Sequence, residues 1–458
     1  MNHKNKTKYL LLWCSPGFGL VDIWLPVIKE LKKKDNVKIY FVFPEPSSIK
    51  LESKGSYLFN IAENFTDRVV YRGYSGRWFV ESTLIGAHNA IKFSKFDAKI
   101  ATLSGRLKKG KMSKYFVLKL IGKYLFIISK HFIRIKENFG KQSRFDFGLL
   151  NNVDGVLCDI TAENKFVNNN LRGDLKDIPK FSMLHGLAVT WVSEHFNCND
   201  PVKKRPDVTV YSMSNYEMSG YKKCFGILEE NIMHAGIPRH DNNWIKFISK
   251  QGYCLGFDVF DSFVFIIGRP ASPYNTPERK KKALENIYDI VCVKHKLKLV
   301  IKSHPKESLD GIDGRIYSDA LGVNNYGENW IYSDSHPFVL GKKATFAISF
   351  YSGVSLDMLA INKPTIEYLD LRGLDAYDTE HSLRDESGAP VFSERYTKLV
   401  LGASTKHEFE QHVESILYQY KPTVLSLLSR YESYFKPFEG SSEMVADDIY
   451  KRIDNLKK

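Results

Sequence analysis

A serine-rich turn between a predicted strand and a predicted helix is the segment of this sequence best suited to hold phosphate. The strand is predicted over Phe346–Ser349 and the helix over Val354–Ile361, with Ser352, Gly353 and Ser355 around the junction. Backbone amides without a partner at a helix N-terminus, together with small hydroxyls and the helix dipole, form a site for an anion. Serines also cap helices, so this segment alone leaves phosphate binding and capping open.

A second candidate follows another predicted strand, Leu297–Ile301. Lys302, His304 and Lys306 come directly after that strand. Cations and an imidazole at the end of a strand suit a pyrophosphate leaving group, because negative charge grows on its oxygens as the bond breaks. The alternative is an ordinary polar turn stiffened by Pro305.

A histidine ends a third predicted strand, in the segment Phe181-Ser-Met-Leu-His-Gly186. The imidazole of His185 has a near-neutral intrinsic pKa and would take the proton of an acceptor hydroxyl as that hydroxyl attacks; a structural histidine is the competing interpretation. Asp22 is the reserve candidate for the base, since it follows a glycine-bearing turn that contains Gly17 and Gly19. We expect that turn to contact the acceptor or its phosphate.

The elements that must position these candidates alternate between strand and helix in two successive series. The first series opens with the strand Tyr9–Trp13, the helix Asp22–Lys34 and the strand Val37–Phe43. The second opens with the strand Phe263–Ile267 and the helix Pro277–Lys296. Such alternation predicts parallel sheets with helices on both faces, in which ligands bind beyond the carboxyl ends of the strands. We therefore predict an α/β fold with two doubly wound domains facing a central cleft.

Length and composition agree with this organisation. A chain of 458 residues exceeds what one hydrophobic core usually supports. We predict a first domain at 1–245, a second at 246–405 and C-terminal helices at 406–458 that pack back across the domains. The six cysteines are scattered without a Cys-x-x-Cys pair, which is typical of reduced thiols in a cytoplasmic protein. No stretch approaches the roughly 20 apolar residues that a membrane-spanning helix needs.

Much of the net charge of +14 lies between Arg106 and Arg144, where twelve basic residues stand against one acidic residue, Glu137. Apolar residues within 115–135 recur at spacings of three and four, which predicts a basic amphipathic helix. The basic residues Lys119, Lys123, Lys130 and Arg134 lie elsewhere on the helical wheel. We favour contact with an anionic membrane surface over a solvated basic face or a bound polyanionic glycan. No nucleic-acid partner is expected, since the motifs of nucleic-acid-binding domains are missing from the sequence.

The His-Gly, Lys-x-His-Pro and Ser-Gly-x-Ser-x-Asp motifs, in this order, resemble those of the GT-B enzymes of bacterial capsule, lipopolysaccharide and teichoic acid assembly. The related CDP-glycerol glycerophosphotransferases belong to the same superfamily. The resemblance covers Phe181 to Tyr368 and implies a GT-B fold of two Rossmann-like domains. It also implies a general base at His185, donor phosphate or nucleotide contact at His304, and ribose contact at Glu367. Bacterial sialyltransferases pair a His-Pro motif with a serine motif as well, but their acidic Asp/Glu-Asp/Glu-Gly motif is matched here only in part.

The predicted function is an inverting, metal-independent transfer of a sugar from a CMP- or UDP-activated donor to a lipid-linked or growing anionic surface glycan. The reaction would take place at the inner face of the bacterial inner membrane. No cofactor is expected beyond the nucleotide-sugar substrate, and no Asp-x-Asp triplet is present to hold a divalent ion. The predicted donor-binding residues are Gly236, Arg269, Lys302, His304, Ser352, Gly353, Ser355 and Glu367.

Three other functions remain open on the sequence. The phosphate-binding segments equally fit a polyol-phosphate transferase of the CDP-glycerol type and a nucleotide-sugar 2-epimerase. A non-catalytic membrane-bound scaffold would keep the basic helix but turn over no donor. The segment that begins at Gly236 lies between the first and the second series of strands and helices. We interpret it as a hinge, a donor contact or both.

Overall fold

The computed structural model describes residues 7–14, 19–43, 56–72, 79–84, 87, 103, 117, 120–125, 127, 153–160, 178–184, 186, 204–251, 260–380, 382–435 and 440–455. The chain divides into two compact units. One comprises Met1–Ser53, Phe59–Ser182 and Tyr450–Lys458, and the other comprises Lys54–Leu58 and Met183–Ile449. The domain boundaries expected at 245 and 405 stay predictions.

One sheet has eight strands in the order β4-β3-β2-β1-β5-β6-β7-β8. Its strands are β1 (Lys8–Trp13), β2 (Val37–Phe43), β3 (Arg68–Arg72), β4 (Phe79–Ser82), β5 (Val153–Asp159), β6 (Lys180–Met183), β7 (Val208–Ser212) and β8 (Ile232–His234). Strand β3 pairs antiparallel with β4, whereas β1 pairs in parallel with both β2 and β5. A Cβ on Gly155 of β5 would lie 2.8 Å from the ring of Phe181 in β6, so glycine lets the aromatic side chain pack onto the strand.

The helices of this part follow the predicted βαβ pattern. Helix α1 (Gly19–Leu31) connects β1 to β2, and its apolar side is buried. It begins three residues before the predicted start at Asp22. Further along the chain come α2 (Ser56–Glu63), α3 (Met218–Phe225) and α4 (Asn242–Gln251).

The second sheet has six strands in the order β11-β10-β9-β12-β13-β14. They are β9 (Phe263–Ile267), β10 (Lys298–Lys302), β11 (Trp330–Tyr332), β12 (Ala347–Ser349), β13 (Thr365–Tyr368) and β14 (Leu401–Ala403), and each pairs in parallel with its neighbours. Counted along the chain, this is the order 3-2-1-4-5-6 of a doubly wound Rossmann-like sheet, whose direction of winding reverses between β9 and β12. The predicted doubly wound arrangement is therefore confirmed for this sheet.

Helices connect these strands and continue to Asn455. They are α5 (Pro277–Ile287), α6 (Ile312–Leu321), α7 (Pro337–Lys343), α8 (Val354–Leu359), α9 (Ser393–Tyr396), α10 (Lys406–Tyr418), α11 (Tyr420–Tyr434) and α12 (Ser441–Asn455). Helix α5 begins as the sequence predicts, with Thr276 as N-cap and proline in the first turn. Apolar side chains of α10 pack in the same core cluster as those of β9 and β10, so the predicted C-terminal helices help to cover the sheet.

Two global expectations can be compared with the described residues. None of the helices in the described ranges has the length and hydropathy to cross a membrane. Cys14, Cys158 and Cys292 are free thiols, but Cys224 is disulfide-bonded. The prediction of reduced thiols is wrong for Cys224, because spacing along the chain does not show which distant cysteines the fold brings together.

Candidate functional site

Three neighbouring strands of the six-stranded sheet end at one edge and carry predicted donor-binding residues there. Arg269 follows β9, Lys302 ends β10 with His304 beyond it, and Ser352 and Gly353 follow β12. Strands β9 and β12 are the pair at which the winding reverses, and doubly wound sheets bind ligands at the carboxyl edge of that pair. The structure therefore brings these residues to the position where this architecture favours a ligand.

Gly268 brings the segment after β9 against the segment after β10. Its N–H donates to the carbonyl oxygen of Lys302 at 2.9 Å. A Cβ at this position would lie 2.7 Å from that oxygen and 3.0 Å from the backbone nitrogen of His304. Since real Cβ atoms do not approach backbone so closely, glycine is required for this approach, which keeps Arg269 close to His304.

The imidazole of His304 is set up as a neutral hydrogen-bond donor. Its Nδ1 accepts the backbone N–H of Lys306 at 3.1 Å, so the neutral ring carries its proton on Nε2. Burial lowers the pKa of His304 to about 4, and the nearby cations Arg269 and Lys306 also lower it. At neutral pH this side chain can donate Nε2–H to a phosphate oxygen without carrying a charge.

A buried ion-pair network holds the backbone of the loop after β10, which contains His304. Glu307 accepts the backbone N–H of His304 through Oε2 at 2.6 Å, and its Oε1 lies 2.6 Å from the ammonium of Lys280. The hydroxyl of Tyr317 donates to the same Oε1 at 2.9 Å, and Lys280 is also 3.5 Å from Asp313. All four side chains are buried, so the Lys280 ammonium compensates part of the negative charge of the two carboxylates away from water.

Sequence reasoning missed this network, although two signals were present. Lys280 lies four residues before Leu284 and seven before Ile287, on the buried face of α5. A lysine at core spacing indicates a buried partner. Glu307, three residues after His304, is positioned to close a turn onto the backbone of that histidine.

Arg269 lies over an aromatic pair at the end of β12. Its guanidinium carbon is 5.0 Å from the ring centroid of Tyr351, which stacks on Phe392 at 3.8 Å. Tyr351 has a φ of 106°, a conformation that costs a non-glycine residue free energy and concentrates at functional sites. The N–H of Tyr351 donates to Ser349 Oγ at 3.0 Å, which helps to hold this turn just before Ser352.

The serine turn is held by hydrogen bonds of its own. Ser352 Oγ accepts the N–H of Val354 at 3.3 Å, although the N-cap residue of α8 is Gly353 and no side chain caps the helix there. The same hydroxyl keeps its own proton to donate to a ligand. Ser355 is only 1% exposed, and its N–H donates to the carbonyl oxygen of Ser352 at 3.0 Å. Phosphate contact at these residues stays a prediction.

Glu367, the predicted ribose contact, is a buried carboxyl on β13. Burial raises its pKa to about 8, and the neighbouring Glu394, itself buried, raises it as well. The pKa of Glu394 is also raised by burial, while the hydroxyl of Ser393 donates to its carboxyl group. A carboxyl that keeps its proton at pH 7 can both donate to and accept from a sugar hydroxyl.

The segment that begins at Gly236 connects to the helix that carries the serine turn. Gly236 has a φ of 71°, which glycine adopts without strain. Arg239 Nη2 lies 2.8 Å from Asp357 Oδ2, and His240 Nε2 lies 3.0 Å from Asp357 Oδ1. Asp357 is a buried residue of α8. The segment thereby holds α8 through Asp357.

The same segment also fixes two C-terminal helices. His240 Nδ1 lies 2.6 Å from the hydroxyl of Tyr431 in α11. Asp241 accepts the backbone N–H groups of Ser441 and Ser442, at 3.1 and 2.7 Å, and so caps α12. These contacts describe a structural connection; a direct contact of Gly236 with the donor stays a prediction.

The candidates for the acceptor side are described only in part. Asp22 is buried in the first turn of α1, and Gly19 begins that helix with open space where a Cβ would be. His185 and Gly17 lie outside the described residues. Their roles as base and as part of the acceptor loop stay predictions.

A second Ser-His-Pro sequence follows β11 and was not singled out from the sequence. His336 Nδ1 accepts the N–H of Phe338 at 3.1 Å, just as His304 Nδ1 accepts the N–H two residues after it. His336 is fully buried and caps α7, whereas His304 is partly exposed. The repeated tripeptide after neighbouring strands was the signal, and the two copies differ in whether a ligand can reach the ring.

The predicted basic helix exposes an apolar face where it is described. Residues 120–125, with 117 and 127, are helical. Five of their side chains are between 40% and 66% exposed: Val117, Leu120, Ile121, Tyr124 and Ile127. At about 100° per residue these five occupy one arc of about 120°. Lys123 is exposed beside that arc and Gly122 is buried on the other side, while Lys119, Lys130 and Arg134 lie outside the described residues.

Comparison with known proteins gives matches in structure and none in sequence. No protein-family model matches the sequence, and no curated protein matches it. A putative UDP-N-acetylglucosamine 2-epimerase from Listeria monocytogenes is 11% identical, with a TM-score of 0.55 over 99% of this chain and 97% of that one. S. aureus MnaA, in a co-structure with UDP, is 10% identical, with a TM-score of 0.53 over 99% and 98%.

A variant of the wall teichoic acid polymerase TagF is 13% identical, with a TM-score of 0.51 over 99% of this chain and 90% of that one. At these identities the similarity concerns the fold and not the reaction. The structures are those of GT-B enzymes. The fold expected from the sequence is therefore confirmed: this chain has the GT-B fold.

Proposed function

We propose that the protein is a glycosyltransferase that moves a sugar from a UDP- or CMP-activated donor to a lipid-linked or growing surface glycan. The observation that carries this proposal is the meeting of Arg269, the neutral His304 and the Ser352-Gly353 turn at the carboxyl edge of β9, β10 and β12. A guanidinium, an imidazole N–H and a hydroxyl can together bind the phosphates of a nucleotide. The similar structures named for UDP, UDP-N-acetylglucosamine and teichoic acid support chemistry of this class.

In the proposed reaction the acceptor hydroxyl attacks the anomeric carbon of the donor sugar from the face opposite the phosphate. The bond from that carbon to the phosphate oxygen breaks, and the nucleotide leaves with the electron pair. Arg269, Lys302 and the Nε2–H of His304 stabilise the charge that develops on the leaving phosphate. No metal or other cofactor takes part in this proposal.

The proton of the attacking hydroxyl goes to a base, for which we propose His185, with Asp22 in reserve. His304 is unsuited to that role because its lowered pKa of about 4 makes it a weak base. Glu367, whose pKa is raised to about 8, is proposed to bind the ribose hydroxyls. These assignments separate the group that accepts the proton from the groups that hold the leaving nucleotide.

The acceptor side of the proposal rests on the basic amphipathic segment. Its exposed apolar arc and Lys123 fit the interface of an anionic membrane, where apolar side chains enter the headgroup region and cations lie at the surface. We propose that this contact holds the enzyme at the cytoplasmic face of the inner membrane, where capsule or lipopolysaccharide precursors are lipid-linked.

A nucleotide-sugar 2-epimerase is the second candidate. Two of the similar structures are named for bound UDP or for an epimerase, and this chain matches each of them over almost its whole length. A polyol-phosphate transferase of the CDP-glycerol type is the third, and TagF is the similar structure that favours it. The three differ in products. A glycosyltransferase releases nucleotide and extends a glycan. An epimerase changes the sugar of its substrate and transfers nothing to an acceptor. A polyol-phosphate transferase transfers a phosphoryl group that carries the polyol.

The first experiment is thermal unfolding with CMP, CDP, UDP, GDP and ADP, since a ligand that binds only the folded state raises the melting temperature. We expect one pyrimidine nucleotide to stabilise the protein, and His304→Ala to abolish that shift. His407→Ala, the same substitution at an exposed position on α10, is the matched control and keeps the shift. No shift with any nucleotide would contradict the proposed donor site and favour a non-catalytic scaffold.

The second experiment separates the three enzymes. The protein is incubated with the activated sugar of the stabilising nucleotide, or with CDP-glycerol, in the presence of a membrane extract. Nucleotide release and the mass of the lipid-linked product are then measured. A mass increase of one or more sugar units supports glycosyl transfer, a phosphopolyol increase supports the polyol-phosphate transferase, and a changed sugar without transfer supports the epimerase.

A further inference from the structure

A cavity of about 250 Å³ lies at the carboxyl ends of β13 and β14, beside the start of α5. Its polar lining includes Asn275, Arg279, Lys282, Asp370, Ser404 and Lys406. None of these belongs to the candidate donor site. Leu369 lines the cavity and also packs in the apolar cluster that contains Tyr351 and Phe392, so this cluster lies between the cavity and Arg269.

Asn275 is an unusual residue in this lining. It is 1% exposed, and neither Oδ1 nor Nδ2 of its carboxamide has a hydrogen-bond partner among the described residues. The turn around it is held by its backbone N–H, which donates to Ser272, and not by its side chain. Burying an unsatisfied polar group costs free energy, so this carboxamide calls for a partner with both a donor and an acceptor.

The charges around the cavity favour an anion. The cationic side chains of its lining are Arg279, Lys282 and Lys406, beside the carboxylate of Asp370. Lys406 is ion-paired with Asp289, and Lys282 lies 3.7 Å from Glu285. Arg279 is therefore the lining cation that has no ion-pair partner among the described residues. The guanidinium of Arg279 donates to the carbonyl oxygens of Asp370 and Arg372, at 2.5 and 3.2 Å. Neutral carbonyl groups thereby hold the guanidinium in place. The Asp370 carboxylate instead accepts hydrogen bonds from Nε and Nη2 of Arg372, at 2.8 and 3.0 Å. Arg279 therefore keeps its charge for an anionic ligand.

We propose that this cavity binds an anionic monosaccharide unit, with its phosphate or carboxylate at Arg279 and neighbouring hydroxyls at Asn275 and Ser404. The carboxamide atoms of Asn275 have almost no accessible surface, so this side chain must turn toward the cavity before adjacent sugar hydroxyls can supply the donor and the acceptor that it lacks. A cavity of about 250 Å³ is smaller than the roughly 300–1,000 Å³ typical of drug-sized ligands, so it suits one sugar residue better than a nucleotide-sugar. The proposal does not depend on the reaction proposed above.

Calorimetric titration of the whole protein tests it with four probes: glucose 1-phosphate, glucuronate, glucose and inorganic phosphate. We expect at least one charged sugar to bind at least tenfold more tightly than either glucose or inorganic phosphate. Glucose tests the need for the anionic group, and inorganic phosphate tests the need for the hydroxyls. Phosphate that binds as tightly as the sugars would show an adventitious ion only and overturn the proposal.

Two variants separate binding from folding. Asn275→Leu replaces the unsatisfied carboxamide by an apolar side chain of similar size, so we expect a higher melting temperature together with loss of sugar binding. Arg279→Gln is expected to weaken binding of the charged sugar at least tenfold. Lys281→Gln changes a charge on the same helix outside the lining and is expected to leave binding unchanged.

Sugar binding that persists in a folded Asn275→Leu variant would overturn the proposal, as would failure of both charged sugars to bind the wild-type protein. His304→Ala separates this result from that of the donor site. That variant is expected to lose stabilisation by the nucleotide and to keep binding of the charged sugar. Loss of both on one substitution would show that the two sites are the same.

Discussion

The neutral state of His304 determines how this residue can act on a donor. A histidine with an ordinary pKa near 6.5 would bind phosphate as a cation at low pH and lose that attraction as the pH rises. Here burial and the nearby Arg269 lower the pKa to about 4, and Lys306 fixes the tautomer that donates from Nε2. The residue thus contributes a directed hydrogen bond over the whole physiological range.

We therefore predict that the contribution of His304 to nucleotide binding is constant between pH 6 and pH 8. The ratio of the nucleotide dissociation constants of His304→Ala and the wild type, measured by calorimetry, cancels the titration of the nucleotide itself. We expect a ratio of about 10 to 100, from the roughly 1.5–3 kcal/mol of a hydrogen bond to a charged group. A ratio that falls as the pH rises through 6.5 would show instead that the imidazole binds as a cation.

Glu217 carries a pH effect on stability that is independent of any ligand. It is fully buried after β7, where it accepts the N–H of Met213 and the hydroxyl of Tyr221, and burial raises its pKa to about 7. An acid whose pKa is higher in the folded state than in the unfolded state binds its proton preferentially when folded. Stability therefore falls as the pH rises from about 4.5 to about 7.

We predict that Glu217→Gln raises the melting temperature at pH 8, by removing an unfavourable buried charge worth on the order of 2 kcal/mol. At pH 5 the carboxyl is protonated in the folded protein, so the difference from the wild type should largely disappear. Thermal unfolding at both pH values measures this. Glu230→Gln, at an exposed position, is the control and should change neither value. A variant less stable than the wild type at pH 8 would show that the ionised carboxylate is needed.

At the scale of elements, the connection between α5 and the loop after β10 positions the candidate donor site. Lys280→Ala leaves the Glu307 carboxylate buried without its ion-pair partner, which we expect to cost about 3–5 kcal/mol in urea unfolding. The double variant Lys280→Met with Glu307→Leu removes both charges and should lose less stability. Its affinity for nucleotide should nevertheless be lower than that of the wild type, because the backbone N–H of His304 then lacks the Glu307 carboxylate as its acceptor. A double variant with wild-type affinity would show that the loop holds its shape without Glu307.

The strands of the second sheet illustrate what a single sequence can predict. The bounds of β9 agree with the prediction, because Phe263–Ile267 is a short apolar run that Ser262 and Gly268 flank, and those of β10 and β12 differ from it by one residue. Strand β14 of this sheet and strand β8 of the eight-stranded sheet were missed, since each has only three residues, and these include a histidine in β8 and small residues in β14. Their conformation depends on pairing with a neighbouring strand, which is a tertiary effect.

The candidate site was predictable to the same extent. Residues that follow strands could be placed at one edge, because parallel strands end together. The core spacing of Lys280 was a signal that it has a buried partner, but the identity of that partner, Glu307, was not predictable, since the two residues are 27 positions apart along the chain and meet only in the folded protein. The positive φ of Tyr351 was not predictable either, because tyrosine has no preference for a left-handed backbone conformation.

At the scale of the whole molecule, the proposed function requires both a nucleotide site and attachment to the surface on which the acceptor lies. The described part of the basic segment has five exposed apolar side chains on one arc. Such a face costs free energy in water and is stabilised when it enters a lipid interface. The basic residues of the segment favour a lipid interface that is anionic.

We predict that the protein sediments with vesicles that contain phosphatidylserine and much less with vesicles of phosphatidylcholine alone, and that added salt weakens the binding. Lys123→Ala should reduce the binding constant about fivefold, from about 1 kcal/mol for one basic residue near the surface. The pair Leu120→Ser and Tyr124→Ser should reduce it further, while Leu425→Ser, at an equally exposed apolar side chain on α11, should not. Equal binding to both kinds of vesicle would contradict an electrostatic attachment, and binding unchanged by the double substitution would place the contact elsewhere on the molecule.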